Sequence, residues 1–125
     1  MNVVDSSGWI EYFAGGPNAR FFAPPIEDAA ELLVPSISVF EVYRHVLRER
    51  GADDALRAAA GLQRGRQVDL DADLALTAAE LALEHRLPLA DSIIYATAQV
   101  HGAMVWTQDS DFDGLEGVKY RAKRR

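Results

Sequence analysis

Short segments that are apolar throughout alternate along this chain with longer segments of helical periodicity, and this alternation constrains the fold most. The apolar segments include residues 3–4, 32–34 and 103–107, and the stretches between them place apolar residues at helical spacing. Strands that are apolar throughout are typical of a parallel sheet with helices on both faces. We therefore predict an α/β fold, a three-layer α/β/α sandwich with a short, mainly parallel central sheet.

Turn and capping residues predict the element boundaries. Ser36 or Ser38 is expected to cap one helix, and Asp71 is expected to cap another that runs to about residue 86. Pro24 and Pro25 should interrupt the helical segment 18–30. The predicted strands are 2–4, 32–34, 66–70 and 103–107, with an edge strand at 117–120. The other predicted helices are 6–14, 52–62 and 90–100. The helix after residue 36 carries an apolar stripe of Phe40, Tyr43 and Leu47.

Composition excludes several classes of protein. The 125 residues suit a single domain, predicted to span 1–125, and the sequence contains no cysteine, which removes disulfides and thiolate-bound metals. No apolar run approaches the roughly 20 residues that cross a bilayer, so we expect a cytoplasmic protein without a membrane partner. The net charge is −6, although the last seven residues hold five bases and no acid. Overall basicity therefore cannot drive nucleic-acid binding, but a local basic path can.

Four acids stand where the predicted topology can bring them together. Asp5 and Asp109 follow strands, Asp91 opens a helix and Glu41 lies within one, and ligands of parallel sheets bind beyond the carboxyl ends of the strands. Structural alternatives stay open for each residue alone: a turn or helix cap for Asp5, a surface ion pair for Glu41, a helix-dipole contact for Asp91 and a polar loop for Asp109.

Converging carboxylates repel one another unless a cation lies between them. Oxygen ligands select Mg²⁺ or Mn²⁺ over zinc, and such ions support hydrolysis of phosphodiesters. A metal-dependent nuclease is therefore the hypothesis from the acids alone. Six arginines between residues 44 and 66, joined by the basic tail, are candidates for phosphate contacts: Arg44, Arg48, Arg50, Arg57, Arg64 and Arg66.

Four motifs in order give the sequence a family resemblance. The segments VVDSSGWIEYF (3–13), SVFEV (38–42), LPLADSIIYATA (87–98) and VWTQDSDF (105–112) resemble those of the PIN domain, and more narrowly those of the VapC toxins of toxin–antitoxin pairs. Any one motif is weak, but the ordered set covers nearly the whole chain.

The resemblance implies a Mg²⁺- or Mn²⁺-dependent endoribonuclease that a cognate VapB-type antitoxin inhibits. Asp5, Glu41, Asp91 and Asp109 match the family's four catalytic and metal-binding acids. The resemblance also implies supporting roles for Thr107, for Ser6 or Ser7 and for Asp111. Asp111 is an acid that supports the metal ligands, an alternative metal ligand or the cap of the following turn. The alternative is a PIN nuclease that acts in RNA processing and is not a toxin.

The resemblance also implies a homodimer and an apolar groove for the antitoxin. Seven large apolar residues are too many for one small core, so some are expected at an interface: Trp9, Ile10, Tyr12, Phe13, Phe21, Phe22 and Phe40. A binding module that has lost catalysis is disfavoured because all four acids are present.

Other phosphate-handling folds fit less well. A haloacid-dehalogenase-like phosphatase needs an acid at the position of Ser7, and a receiver domain needs a lysine after a late strand, whereas no lysine precedes Lys119. No Gly-x-Gly-x-x-Gly follows the first strand, which disfavours dinucleotide binding.

Overall fold

The structure, a computed structural model, describes residues 1–124. Arg125, the last base of the predicted tail, lies outside the described residues. The strands are β1 (Asn2–Val4), β2 (Leu32–Pro35), β3 (Arg66–Val68), β4 (Met104–Thr107) and β5 (Val118–Tyr120). The helices are α1 (Ser6–Ala14), α2 (Ala19–Glu27), α3 (Ser36–Arg50), α4 (Ala52–Gln63), α5 (Ala72–His85) and α6 (Leu89–His101). Within residues 1–124, none of these helices has the length and apolarity needed to span a membrane.

The five strands pair in parallel in the order β3-β2-β1-β4-β5. Successive side chains of β1 enter different cores, because strand residues alternate between faces. Val4 packs with Trp9 and Phe22 under helices α1 to α4, whereas Val3 packs with Ile94 under α5 and α6. The predicted three-layer α/β/α sandwich is confirmed.

The strand order reverses at the boundary between β1 and β4. From β1 the chain adds β2 and β3 on one side and then crosses to place β4 on the other side. A crevice opens beyond the carboxyl ends of the strands at such a point. Asp5 follows β1 and Asp109 lies two residues beyond β4, and the Asp5 amide donates a hydrogen bond of 3.1 Å to the Trp106 carbonyl.

Helix α2 shows that the predicted interruption at Pro24 and Pro25 is wrong. The helix continues through both prolines to Glu27. A proline inside a helix lacks the amide that would bond to the carbonyl four residues earlier, so α2 lacks two such hydrogen bonds, one at Pro24 and one at Pro25. Pro25 and Phe22 are buried on the same helix, and this burial offsets the loss.

Helix α3 differs from its prediction at its start and in its buried face. Pro35 is the N-cap, and neither serine caps the helix; the Ser38 hydroxyl is buried without a hydrogen-bond partner. The core-facing residues are Val42 and Val46, whereas Phe40 is 61% exposed. The predicted stripe therefore faces outward at Phe40 and Leu47, because α1 and α4 pack on the opposite side of α3, whereas Tyr43, its third residue, is partly buried against the core.

The third strand is shorter than predicted and ends at Val68 rather than at residue 70. Val68 pairs with Pro35, the last residue of β2. Because the partner strand ends there, the chain beyond Val68 has no neighbour with which to continue the ladder.

Candidate active site

Asp5 is buried and held at the end of β1 by four hydrogen-bond contacts. Its Oδ1 atom accepts from the Gly8 amide at 2.9 Å, which caps α1, and the Ser7 hydroxyl donates to both carboxylate oxygens at 2.9 Å. The Thr107 hydroxyl donates to Oδ2 at 2.7 Å. Burial raises the pKa of Asp5 to about 6, although the hydrogen bonds from Thr107, Gly8 and Ser7 oppose this rise.

Glu41 approaches the same site from the second turn of α3. The Ser6 hydroxyl donates a 2.6 Å hydrogen bond to Glu41 Oε1. Because Ser6 begins α1, this contact joins the two helices at their N-terminal ends. Ser6 therefore contacts Glu41 and Ser7 contacts Asp5, so each hydroxyl touches a different carboxylate.

Asp91, Asp109 and Asp111 place one carboxylate oxygen each within 4.8 Å of one another. Asp91 lies in the first turn of α6, and Asp109 accepts the Asp111 amide at 2.9 Å to cap a short 3-10 turn. Burial, together with the charges of Asp109, Asp5 and Asp111, raises the pKa of Asp91 to about 8. Like charges thus crowd this side of the site.

One open cavity of about 340 Å³ contains the predicted acids. All four of Asp5, Glu41, Asp91 and Asp109 line it, although they come from four separate segments of the chain. Thr107 lies beneath Asp5, and its hydroxyl also accepts the Asp109 amide at 2.9 Å. The catalytic and metal-binding roles of these residues stay predictions. The complete lining is Asp5, Ser6, Ser7, Ile10, Phe40, Glu41, Arg44, His45, Arg48, Asp91 and Asp109.

The donor set fits a divalent cation. The three clustered residues offer only carboxylate oxygens, the ligands that Mg²⁺ and Mn²⁺ prefer. Among residues 1–124, the ion pairs join other residues and include none of the four lining acids. A cation between these carboxylates would offset both the burial and the repulsion that raise the pKa of Asp91.

The basic residues predicted to contact phosphate separate into groups. Arg44 and Arg48 line the acidic cavity, whereas Arg50 and Arg57 line another cavity between α1, α3 and α4. Arg66 lies at the β3 edge of the sheet. From the tail, Lys123 lines a groove that shares Ser7 and Asp109 with the acidic cavity.

A buried amide that the sequence analysis did not single out connects the site to the C-terminal segment. The Asn18 Nδ2 atom donates to Gln108 Oε1 and to the Ala122 carbonyl, each at 3.0 Å. Gln108 precedes Asp109, and the Arg121 amide donates to the Thr107 carbonyl at 3.0 Å. The two Asn18 contacts join residues 90 and 104 positions apart, so no local pattern signals them.

The seven large apolar residues differ in their burial. Trp9 and Phe22 are fully buried, and Ile10, Tyr12, Phe13 and Phe21 pack partly buried against the same core. Phe40 alone of the seven is largely exposed, and it lines the acidic cavity. An interface role for this group stays a prediction.

Comparisons with known proteins agree with this geometry. A toxin–antitoxin complex from Klebsiella pneumoniae contains a chain with 25% identity and a TM-score of 0.81, covering 95% of this chain and 96% of that one. VapC20 from Mycobacterium tuberculosis, described as a sarcin-ricin loop cleaving toxin, has 21% identity and a TM-score of 0.79, covering 94% and 97%. VapBC2 from Rickettsia felis, bound to a promoter DNA fragment, has 14% identity and a TM-score of 0.73, covering 97% of both chains. The last two likenesses show a shared fold.

No curated protein sequence matches the chain. The family model described as PIN domain matches residues 3–118, which is most of the 125 residues and includes all four acids of the cavity. The chain belongs to the PIN domain family.

Proposed function

We propose that this protein is an endoribonuclease that depends on Mg²⁺ or Mn²⁺ and acts as the toxin of a VapBC-type toxin–antitoxin pair, with one PIN domain carrying the activity. The observation that carries the proposal is the meeting of Asp5, Glu41, Asp91 and Asp109 in one open cavity. Family membership and the likeness to the toxin–antitoxin complex from Klebsiella pneumoniae support it.

The residues of the cavity divide the chemical work. Asp91 and Asp109, whose oxygens cluster with one of Asp111, would hold the cation together with Asp5 and Glu41, which line the same cavity. A divalent cation bound there would polarise a phosphoryl oxygen and lower the pKa of a bound water. Thr107 and Ser7 orient the Asp5 carboxylate, and Ser6 orients that of Glu41.

Basic side chains flank the acids and give RNA a path across them. Arg44 and Arg48 lie on the α3 side of the cavity, and Lys123 lies in the groove beyond Asp109. Contacts to phosphates on both sides of the scissile bond would hold the backbone over the carboxylates despite the net charge of −6.

A cavity of about 200 Å³ beside the site, lined by both apolar and charged residues, suits an antitoxin segment. It lies between α1, α3 and α4, and it shares Ile10 and His45 with the acidic cavity. Phe13, Val46 and Ala58 provide apolar contacts there. A bound segment that continued toward Asp5 could place a basic side chain among the acids and displace the cation.

Cleavage of total RNA by the purified protein tests the nuclease. We expect cleavage with Mg²⁺ or Mn²⁺, none with chelator, and a loss of at least 100-fold in Asp91→Asn, which removes one of the clustered carboxylates. Asp113→Asn is the matched control, because Asp113 is exposed and does not line the cavity. Undiminished cleavage by Asp91→Asn in chelator would contradict the metal mechanism.

Expression in a bacterial host separates the toxin from the alternative, a PIN nuclease of RNA processing. A toxin should arrest growth when expressed alone, and Asp5→Asn should not, although asparagine still caps α1. Unimpaired growth with active, soluble wild-type protein would favour the processing enzyme. The homodimer and the cytoplasmic location stay predictions.

A further inference from the structure

Helix α3 lines the acidic cavity with an aromatic ring and two guanidinium groups in a row. Phe40, Arg44 and Arg48 are spaced four residues apart, so their side chains lie on one face of the helix, and all three line the cavity. Phe40 is 61% exposed. Arg44 is likewise exposed. An exposed aromatic beside cations is the combination that binds single-stranded nucleic acid, because the ring stacks on a base and the cations contact the backbone.

We propose that Phe40 stacks on an unpaired nucleobase next to the scissile phosphate, while Arg44 and Arg48 contact the phosphates that follow. This inference rests on the proposed nuclease function and adds to it a residue that positions the RNA. Stacking needs a free base face, which a continuous A-form duplex does not offer, so the nucleotide that Phe40 contacts must be unpaired.

The position of Phe40 favours a base over another ligand. The ring lines the same cavity as the four acids. A phosphate held at the acids would therefore have its neighbouring nucleotide within the cavity that the ring lines.

The surroundings also disfavour an apolar protein partner on Phe40. The residues that share its cavity are mainly acids, hydroxyls and arginines, whereas the apolar residues Phe13, Val46 and Ala58 line a separate cavity between α1, α3 and α4 that does not include Phe40. A nucleotide offers an apolar base face and an anionic backbone together, and this matches the mixture around the ring.

Leu47 provides a matched control. It lies on α3 two turns beyond Phe40, is 43% exposed, and does not line the acidic cavity. Both residues belong to the outward apolar stripe, but only Phe40 faces the acids. An effect of general surface apolarity would appear in both variants, whereas base stacking would appear only at Phe40.

Binding of fluorescent 12-nucleotide RNAs, measured by anisotropy in chelator, tests the proposal. All proteins carry Asp91→Asn, so that no cleavage occurs, and the reference protein adds no other change. We expect Phe40→Ala to raise Kd by about 5- to 150-fold, since stacking contributes about 1–3 kcal/mol per base. Phe40→Trp should stay within about 3-fold of the reference, and Leu47→Ala should leave Kd unchanged.

A scan of RNAs with one abasic nucleotide each then locates the contact. At one position, loss of the base should weaken the reference protein but have no effect on Phe40→Ala, because the two changes remove the same interaction. Equal Kd values for the reference and Phe40→Ala, or the absence of such a position, would overturn the proposal.

Wild-type cleavage of RNA distinguishes a failure of the stacking proposal from a failure of the proposed nuclease function. If the wild type cleaves with Mg²⁺ while Phe40→Ala binds RNA normally, the stacking fails and the nuclease stands. If Phe40→Ala changes only the oligomeric state, the ring is a protein contact and the stacking proposal is wrong. If the wild type does not cleave and the reference does not bind RNA, the proposed function fails together with the inference.

Discussion

Removal of the Asp91 charge should stabilise the metal-free protein, and the gain should grow with pH. The pKa of this carboxyl rises from 3.8 to about 8 on folding, because burial and the charges of Asp109, Asp5 and Asp111 disfavour its ionised form. A raised pKa means that the folded state binds a proton which the unfolded state has released. Stability is therefore lost as the pH rises between about 4 and 8.

The magnitude follows from the shift after allowance for solvent. Each pKa unit corresponds to 1.36 kcal/mol, so the full rise of the Asp91 pKa would cost about 6 kcal/mol of stability without screening. Asp91 is only half-buried, and water and salt screen much of the repulsion. We expect Asp91→Asn to raise the free energy of unfolding at pH 8.5 by about 1–2 kcal/mol, which corresponds to roughly 4–8 °C in Tm for a domain of this size.

Thermal unfolding in chelator, followed by circular dichroism at pH 4.5 and 8.5, measures this effect. Asp91→Asn should differ little from the wild type at pH 4.5 and exceed it at pH 8.5, whereas Asp113→Asn should follow the wild type at both values. Saturating Mg²⁺ should then raise the Tm of the wild type more than that of Asp91→Asn. If the Tm values of the wild type and of Asp91→Asn changed in parallel with pH, the Asp91 carboxyl would not have a raised pKa, and the inference that a cation relieves its repulsion would be wrong.

Three further changes have defined outcomes. Thr107→Val removes the 2.7 Å hydrogen bond to Asp5 and should cost about 1–2 kcal/mol in urea unfolding while lowering RNA cleavage; unchanged stability and activity would contradict the role of this contact. Gly8→Ala would place a Cβ 2.5 Å from the Phe22 ring and should lower the free energy of unfolding by about 1–3 kcal/mol. A Tm equal to that of the wild type would show that the ring can shift without cost. Deletion of residues 121–125, which include four bases, should weaken RNA binding. In a titration at several ionic strengths, the slope of log K against log salt concentration should fall by the equivalent of about one to two phosphate contacts. An unaltered slope would exclude the tail from the RNA path.

Local patterns predicted most of the secondary structure, and their failures have physical causes. Asp71 caps α5 through the Leu74 amide as predicted, because capping depends only on residues close in sequence. The two prolines of α2 were expected to interrupt it, but burial of Pro25 and Phe22 outweighs the lost hydrogen bonds. Such compensation depends on neighbours that are distant in the chain.

The outward stripe of α3 is a similar case. Spacing alone predicts that Phe40 and Leu47 share a face, and this holds, but spacing does not say whether that face meets the core. Val42 and Val46 are buried instead, because α1 and α4 cover that side of the helix. The exposed ring beside the acids could therefore be recognised only after the packing was known.

Sequence by itself determined the parallel α/β architecture and the four candidate acids, because apolar runs, caps and ordered motifs are properties of neighbouring residues. Tertiary structure alone decided how those acids are held. The contacts of Asp5 with Thr107, of Glu41 with Ser6 and of Asn18 with Gln108 join residues 35 to 102 positions apart. Such pairs form only when the strand order places β1 between β2 and β4, and their geometry sets the charge repulsion that a bound cation would relieve.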